Sequence, residues 1–436
     1  MELNMRYDRK NYVDKLLRKR NNGLVKVVTG IRRVGKSFIL NELLREKLIE
    51  GGFNKENIIS FSFDSAFDLE KIGEDLLDIK EKNRKVDPHK FLPFIRELTK
   101  GEGPYVLLLD EIQELGNFEA VLNGYLRQNN VDVYVTGSNA RTLSRDVSTE
   151  FGKRGDEIKV YPLSFSEFYE HSDLGSQKAL NDYLRFGGMP TVANCGSDEE
   201  KAEELNGLLE KIYLRDVIVR NGVNNEAGLS ALLDIMASNV GSPTNPKKIA
   251  DSFQSKEKLS LSQATISKYL EYFENAFLLE QCARYDIKGK GYIETPKKYY
   301  FEDLGLRNSR LRFRQFDEGH LFENMVYLEL SRRGYAIDVG TLFHSEPNHN
   351  GNYVRKEIEV DFVARKGDKE IYIQCCNTLP EDEKEKVEKR GLIKIGNSFK
   401  KILLVNKEIP HFYDPDGILT LGVFDFLLSE DSIERY

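Results

Sequence analysis

The sequence predicts an α/β fold in which a parallel sheet is flanked by helices, and two observations support this prediction. Over the first third of the chain, short apolar runs alternate with amphipathic stretches of helical period. The runs are apolar almost throughout, which is typical of strands buried on both faces of a parallel sheet. Five runs are predicted as strands, and they span residues 24–30, 57–64, 105–110, 131–138 and 157–165.

The stretches between and after these strands are predicted as helices. Leu40, Leu44 and Leu48 recur on one face of the first stretch, which predicts a helix ending at the Gly51-Gly52 pair. From about residue 166 the pattern becomes helical, and the turn FGGMP at 186–190 interrupts it.

Length and composition indicate a soluble protein of about three domains, since 436 residues are present. Hydrophobic residues make up 40% and aromatic residues 11%, which excludes disorder as the dominant state. The net charge of −7 argues against a polybasic nucleic-acid or membrane protein, but it permits a local basic face. The four cysteines lack a zinc-binding spacing. Because no apolar run approaches the roughly 18 residues of a membrane span and the N-terminus carries charges throughout, we expect a cytoplasmic protein with no membrane contact.

The segment GIRRVGKS, residues 30–37, matches the phosphate-binding pattern G-x-x-x-x-G-K-[ST] between a predicted strand and a predicted helix. Gly30 and Gly35 allow backbone N–H groups to curl around phosphate oxygens. Lys36 is expected to reach the β and γ phosphates of ATP, and Ser37 to ligate Mg²⁺. The predicted nucleotide-binding residues are Gly30, Ile31, Arg32, Arg33, Val34, Gly35, Lys36, Ser37 and Asp110.

Two residues of that segment are unusual for such a loop. Arg32 and Arg33 are expected to contact the nucleotide or a neighbouring subunit, or else to be solvated loop charges.

The run YVLLLDEIQ supplies the acidic half of a nucleotide site, because a hydrophobic strand ends in Asp110 and Glu111. Asp110 is expected to hold Mg²⁺, through water, and Glu111 to orient and polarise the attacking water. Gln113 is a weaker candidate for a neighbour of the nucleotide. An acidic helix start after a core strand is the alternative, and the phosphate-binding pattern upstream disfavours it.

Polar and basic residues after the next strand complete the predicted site. Asn139, or Ser138 beside it, is expected to sense the γ-phosphate, the alternative being an ordinary polar turn. Hydrolysis in such enzymes uses an arginine against the charge that develops on the γ-phosphate. Arg154 is preferred for that role over Arg141 and Arg145, although each of the three also fits an ordinary surface arginine.

These motifs together resemble the predicted AAA+ superfamily ATPases of archaea and bacteria that carry a C-terminal domain of unknown function. The resemblance extends over nearly the whole chain, and the segments that carry it are GIRRVGKS, LLLDEIQ, VTGSNA, VYPLSFSEF, YLRFGGMP, IYLRDVIVR, YYFEDLGLRN and FENMVYLELSRRGY. It implies a magnesium-dependent ATPase. The chain has GKRG around Arg154 where the family tends to have a Gly-Arg pair, and this departure weakens the assignment of that arginine.

The middle of the chain is predicted to form a winged helix-turn-helix. Apolar residues at helical spacing are expected to face its core, and they are Ile266, Leu270, Phe273 and Phe277. Polar residues at the start of the recognition helix are Gln263, Thr265, Ser267 and Lys268. Cations of the predicted wing that could contact phosphates are Arg284, Lys288, Lys290, Lys297 and Lys298. A protein-interaction module is the alternative, and Glu271 and Glu274 would repel phosphate.

The C-terminal segment resembles the PD-(D/E)XK nuclease fold, with Glu323 in a leading helix and Asp361 at the end of a strand. Active members need a further carboxylate and a lysine, but Gln374 and Cys376 stand at those positions. We therefore expect a degenerate centre without nuclease activity, and Cys375 and Cys376 are expected to be small core residues. A lysine displaced to the nearby turn, Lys366 or Lys369, is a less favoured alternative.

The complete prediction is an α/β protein with a P-loop, AAA-like parallel sheet, a helical lid, a winged-helix domain and a C-terminal α/β nuclease-like domain. The predicted boundaries are 1–170 for the ATPase core, 171–224 for the lid, 225–300 for the winged helix and 301–436 for the last domain. The first functional hypothesis is an ATPase that acts on duplex or branched DNA, as a homo-oligomer if its arginine acts in trans. The alternative is a nucleotide-gated switch that binds protein partners without nucleic acid.

Overall fold

The computed structural model describes residues 6–137, 155–256, 261–347, 353–377 and 382–436. The chain forms two compact units, the first comprising Met1–Tyr161 and Asn275–Phe277, and the second Pro162–Glu274 and Leu278–Tyr436. The finer division into four domains stays a prediction.

The sheet of the first unit contains five strands, all paired in parallel. They are β1 (Val25–Thr29), β2 (Ile58–Ser62), β3 (Tyr105–Asp110), β4 (Val131–Thr136) and β5 (Gly155–Lys159). All five predicted strands are therefore confirmed. β5 ends earlier than predicted because it pairs only with β1, and the last pair is Thr29 with Lys159, immediately before the loop at Gly30.

The strand order β2-β3-β4-β1-β5 brings the loops of interest to one edge of the sheet. β4 lies between β1 and β3, as expected for an AAA-like site. Every residue of β1 and β3 is buried, which agrees with their continuous apolar sequence. Because the three strands are parallel, their carboxyl ends at Thr29, Asp110 and Thr136 lie along the same edge, where α/β sheets bind ligands.

Helices cover this sheet, and the one that follows β1 is continuous. It runs from Lys36–Phe38 through a π-helical segment, Ile39–Leu44, to Arg45–Glu50, and Leu40, Leu44 and Leu48 are buried as predicted. The other helices of the first unit are Lys10–Arg18, Lys55–Asn57, Ala66–Lys71, Leu76–Glu81, Pro88–Leu98, Ile112–Glu114 and Phe118–Tyr125.

The second unit combines helices with a mixed sheet. Its helices are Phe165–Glu170, Ser176–Phe186, Pro190–Ala193, Asp198–Gly207, Leu208–Leu214, Arg215–Asn221, Glu226–Ser238, Pro246–Lys256, Gln263–Asn275, Leu304–Arg310, Glu318–Arg332, Asp382–Ile395, Val423–Leu428 and Ser432–Arg435. Among the helices of the described residues, none combines the length and the apolar character that crossing a membrane requires.

The second sheet has eight strands in the order β12-β13-β11-β10-β9-β8-β6-β7. They are β6 (Leu279–Asp286), β7 (Gly291–Phe301), β8 (Ala336–Pro347), β9 (Tyr353–Lys366), β10 (Lys369–Cys376), β11 (Lys400–Val405), β12 (Phe412–Tyr413) and β13 (Leu419–Gly422). This second sheet confirms the predicted α/β class of the C-terminal part.

The hairpin of β6 and β7, which was predicted as the wing of a winged helix, forms one end of this second sheet. β6 pairs in parallel with β8 through Arg284 and Val339, and the boundary predicted at 300 falls inside β7. β7 also forms an isolated bridge between Lys297 and Thr244, just before the helix Pro246–Lys256. The hairpin therefore pairs on one side with the C-terminal strands and on the other with the helical segment.

Two motifs that carry the family resemblance meet around Asp303. The buried carboxylate of Asp303 accepts the N–H of Gly188 at 2.7 Å and the N–H of Leu306 at 3.0 Å, so it caps the helix Leu304–Arg310. Gly187 has φ 74°, and a Cβ there would lie 2.3 Å from Asp303 Oδ1. Burial raises the pKa of Asp303 to about 6. The FGGMP and FEDLGL segments are therefore held together inside the second unit by the hydrogen bond from Gly188 to Asp303 and by the close approach of Gly187 to that carboxylate.

Candidate functional site

The loop of residues 30–37 depends on two glycines. Gly30 has φ 138°, and a Cβ there would lie 2.2 Å from the carbonyl oxygen of Val160, so no larger residue fits without displacing the segment that follows β5. Gly35 has φ 95° and immediately precedes the helix that begins at Lys36. Ile31 and Val34 are buried, each with 1% of its surface exposed, and fix the loop to the core.

Lys36 is the buried cation of this loop, with 5% of its surface exposed. Its Nζ donates to the carbonyl oxygens of Gly30 at 2.9 Å and Ile31 at 3.1 Å. Burial lowers the pKa of Lys36 to about 8, Glu111 and Asp110 oppose that shift, and Arg32 adds to it. The phosphate-binding loop and the acidic pair thus interact electrostatically at the same edge of the sheet.

Asp110 and Glu111 are held by Thr136, a residue that the sequence analysis did not select. The Thr136 hydroxyl donates to Asp110 Oδ1 and accepts the backbone N–H of Glu111 at 3.0 Å. Thr136 is fully buried at the carboxyl end of β4. Its position as the last residue of a buried strand beside β3 was the available signal, whereas the sequence prediction selected Ser138 and Asn139.

Glu111 adopts a left-handed backbone conformation, with φ 51°, directly after β3. The side-chain amide of Gln113 donates to Glu111 Oε2, so the residue predicted to be a neighbour of the nucleotide is a neighbour of this carboxylate. A non-glycine residue at positive φ stores strain, and such residues often lie at functional sites.

The remaining predicted residues either are exposed or lie outside the ranges that the structure describes. Ser37, Arg32 and Arg33 are exposed. The candidates predicted after β4 lie outside the described residues, and these are Ser138, Asn139, Arg141, Arg145 and Arg154.

Whether this site could bind a divalent cation depends on the donor atoms that it offers. In the described ranges, no three His, Cys, Asp or Glu side chains are grouped so as to hold a metal. The Ser37 hydroxyl and the Asp110 carboxylate are nevertheless hard oxygen donors, and Mg²⁺ is typically bound through one or two protein oxygens together with phosphates and water. These residues therefore fit a magnesium ion that arrives with a nucleotide, and they do not fit a metal bound by protein alone.

The recognition helix of the predicted winged helix has the expected two faces. Ile266, Leu270 and Phe273 are buried, and Gln263 and Ser267 are exposed. Lys268 is also exposed, and Phe277 is buried just after the helix.

Two of the five predicted wing cations are buried in ion pairs and are not available to phosphates, which corrects their assignment. Arg284 is buried and paired with Glu357, and Lys298 is buried among carboxylates. Lys297 donates to Gln281 at 2.8 Å. Only Lys288 and Lys290 of this set are exposed, at the tip of the hairpin.

Lys298 instead supplies the cation that the nuclease-like centre was expected to lack. Its Nζ lies 2.9 Å from Glu323 Oε1 and 2.7 Å from Glu359 Oε1. Burial disfavours its charge, but Glu323, Glu359 and Asp361 outweigh burial and raise the pKa of Lys298. Burial and then Glu323 raise the pKa of Asp361 well above its ordinary value, and the N–H of Cys375 donates to Asp361 at 2.7 Å.

The turn lysines that were considered as replacements lie elsewhere. Lys366 and Lys369 both face Glu434. Cys376 is buried, as expected for a core residue, and Cys375 is half-buried. Burial raises the pKa of the Cys375 thiol well above its usual value, so this thiol stays protonated at neutral pH.

Two family descriptions match parts of this sequence. The AAA domain matches residues 22–169, which include the loop at 30–37 and the acidic pair at 110–111. A domain of unknown function, DUF8612, matches residues 177–317.

Relatives that match most of the chain come from a bacterium and an archaeon. An uncharacterized protein of Haemophilus influenzae is 35% identical over 429 residues, covering 96% of this chain and 98% of its own. An uncharacterized protein of Methanocaldococcus jannaschii is 29% identical over 406 residues, covering 88% and 82%.

Two solved structures are similar at low scores. The ORC1 protein of Aeropyrum pernix in complex with DNA is 12% identical with a TM-score of 0.35, covering 71% of this chain and 93% of its own. Hsp104 of S. cerevisiae with ADP is 15% identical with a TM-score of 0.27, covering 74% and 42%.

We predict that Lys298→Met destabilises the protein by about 3–5 kcal/mol, because it leaves buried carboxylates without their cation. Urea denaturation followed by circular dichroism would measure the loss. Lys297→Met is the matched control, since the side chain of this neighbouring lysine donates to the neutral amide of Gln281, and it should cost less than about 1 kcal/mol. Equal stability of the two variants would contradict the assigned role of Lys298.

Proposed function

This chain belongs to the family of predicted AAA+ ATPases of bacteria and archaea that carry a C-terminal domain of unknown function, and from that membership we propose that it binds ATP and hydrolyses it with Mg²⁺. The observation that carries the proposal is the buried ammonium of Lys36 at one edge of the sheet. The carboxylates of Glu111 and Asp110 favour its charged form and so raise its pKa against the effect of burial. The match to the AAA domain supports nucleotide binding.

Nucleotide binding is proposed to use the loop 30–37 as a cradle for phosphates. Its backbone N–H groups and the start of the following helix supply partial positive charge. Lys36 exchanges the carbonyl oxygens of Gly30 and Ile31 for phosphate oxygens, which are stronger acceptors because they carry charge. Arg32 and Arg33 are exposed on the same loop, and we propose that they contact the nucleotide or a neighbouring subunit.

Hydrolysis is proposed to use the residues at the ends of β3 and β4. A bound magnesium ion would supply charge neutralisation at the phosphates, and Ser37 and Asp110 are the residues that would hold it. Thr136 positions Asp110 and the backbone of Glu111. Glu111 accepts a proton from the attacking water and orients it, and Gln113 fixes the direction of this carboxylate.

Two further roles are proposed for residues that lie outside the described ranges. Asn139 contacts the γ-phosphate, since it follows β4, the strand between β1 and β3. Arg154 stabilises the charge that develops in the transition state, and if it does so in trans the active form is a homo-oligomer.

We also propose that turnover is coupled to duplex or branched DNA through a winged helix. The support is the order of helices Glu226–Ser238, Pro246–Lys256 and Gln263–Asn275, followed by the hairpin of β6 and β7. The second candidate is a nucleotide-gated switch for protein partners. The burial of Arg284 and Lys298 favours it, because these two wing cations are engaged in ion pairs.

The ATPase proposal is tested with Glu111→Gln and Lys36→Ala. We expect Glu111→Gln to keep ATP binding and to lower turnover by about 10²–10⁴-fold, because the general base is lost. Lys36→Ala should abolish tight binding. Phosphate release and binding of a fluorescent ATP analogue measure the two effects. Glu114→Gln is the matched control, since this partly exposed acid pairs with Lys85; wild-type turnover by Glu111→Gln would refute the proposed base.

ATP affinity should fall as pH rises through about 8, the pKa of Lys36 in the free protein. Below this pH the ammonium is charged and attracts phosphate, and above it the neutral amine does not, so affinity should fall by up to about tenfold per pH unit. Isothermal titration between pH 7 and 9.5 measures the effect. Lys36→Arg stays charged over this range and should give a flat profile. Parallel profiles for the two proteins would contradict the prediction.

Thr136→Val should lower turnover at subsaturating Mg²⁺ by about 10–100-fold, since partners that orient metal ligands typically contribute that much. Thr136→Ser retains the hydroxyl and should restore both turnover and the magnesium concentration at half-saturation. If valine and serine behave alike, Thr136 acts through packing and does not position Asp110.

A further inference from the structure

A cluster of cations surrounds one carboxylate on the second sheet, and we call it the β8–β9 cluster: His344, Glu346, Lys356, Arg390 and Lys394. Lys356 and Lys394 each place Nζ 3.1 Å from an oxygen of Glu346, and Arg390 also pairs with that carboxylate. Three cations therefore share one anion, which leaves two positive charges uncompensated within the cluster. The chain as a whole carries a net charge of −7, so this local excess is not a consequence of composition.

The cations of the β8–β9 cluster remain accessible to a ligand. The side chain of Lys356 is 56% exposed, that of Arg390 is 40% exposed and that of Lys394 is 33% exposed. His344 contacts Glu346 through Nε2 at 2.6 Å. Burial, and then Lys394, Arg390, Lys356 and Lys288, lower the pKa of His344. His344 is therefore neutral at pH 7 and adds no charge to the cluster.

The backbone holds these cations in fixed positions. His344 and Lys356 are cross-strand partners in register, so they lie on the same face of the β8–β9 hairpin. Arg390 and Lys394 are four residues apart on the helix Asp382–Ile395, which places like charges side by side. Gly391 lets that helix approach β9 closely, since a Cβ there would lie 2.9 Å from Val360 Cγ2.

Such an arrangement favours an anion with several charges. Like charges at helical spacing repel one another, and one carboxylate does not neutralise three cations. A guanidinium and two ammonium groups match phosphate oxygens in chemistry. Beyond their pairing with β6 and β10, residues 342–347 of β8 and 353–358 of β9 pair only with each other among the described strands, so this part of the hairpin, which carries His344 and Lys356, is two-stranded.

We propose that the β8–β9 cluster binds the phosphate backbone of duplex DNA. This inference rests on the proposed coupling to DNA, and it moves the main electrostatic contact from the predicted wing to the C-terminal sheet. The contact is independent of base sequence, because the cluster presents charge to the backbone. Exposed Lys288, at the tip of the neighbouring hairpin, extends the same field, since it acts on His344.

The test measures binding of the full chain to a fluorescent duplex of arbitrary sequence between 50 and 200 mM salt. Each of Lys356→Ala, Arg390→Ala and Lys394→Ala should reduce the slope of log affinity against log salt by about 1, and the triple variant by about 3. Lys366→Ala is the matched control. It removes one exposed lysine from the same strand ten residues away, about 33 Å along β9, and should leave the slope unchanged.

The outcomes separate this inference from the proposed ATPase. Weaker duplex binding by the triple variant, with ATP turnover in the absence of DNA equal to wild type, supports the inference. Wild-type affinity and slope in the triple variant overturn the cluster as a site and leave coupling to DNA standing. If wild-type protein hydrolyses ATP but binds no duplex at 50 mM salt, both the cluster and the DNA coupling are overturned while the ATPase stands. The same conclusion follows if a parallel measurement shows that the protein binds vesicles of phosphatidylserine but no duplex.

Discussion

The buried ammonium of Lys36 is the constraint on which the first unit depends. Removing a cation from water costs several kcal/mol unless nearby oxygens replace the solvent. Here the carbonyls of Gly30 and Ile31 provide those oxygens, and the carboxylates of Asp110 and Glu111 add an attractive field. The parallel order of β1, β4 and β3 brings these groups together, so the topology of the sheet and the chemistry of the site have one explanation.

Much of this arrangement could be predicted from the sequence, because its signals are local. The continuous apolar runs fixed the five strands of the first sheet, and the spacing of Gly30, Gly35 and Lys36 identified the loop. Thr136 was not selected because its importance depends on hydrogen bonds to β3, about 25 residues earlier in the chain. A hydroxyl at the end of a buried strand has no sequence pattern of its own.

The second sheet illustrates a different limit of sequence reasoning. Arg284 and Lys298 were interpreted as wing cations because they follow a helix-turn-helix pattern, but strand pairing buries them opposite Glu357 and Glu323. Contacts with residues distant in sequence decide whether a lysine side chain is solvated or pairs with buried carboxylates. The alternation of residues along β7 does not by itself specify which residues a lysine of that strand will contact. Conversely, Gln374 and Cys376 could be read directly from the sequence as departures from the expected nuclease pattern, whereas the pairing of Lys298 with Glu323 and Glu359 could not.

The close approach of Gly30 to the carbonyl of Val160 has a mechanical consequence. Val160 follows β5 directly, two residues before the chain leaves the first unit at Pro162. Because a Cβ at Gly30 would lie 2.2 Å from that carbonyl oxygen, a side chain there would have to displace the segment through which the chain leaves the first unit.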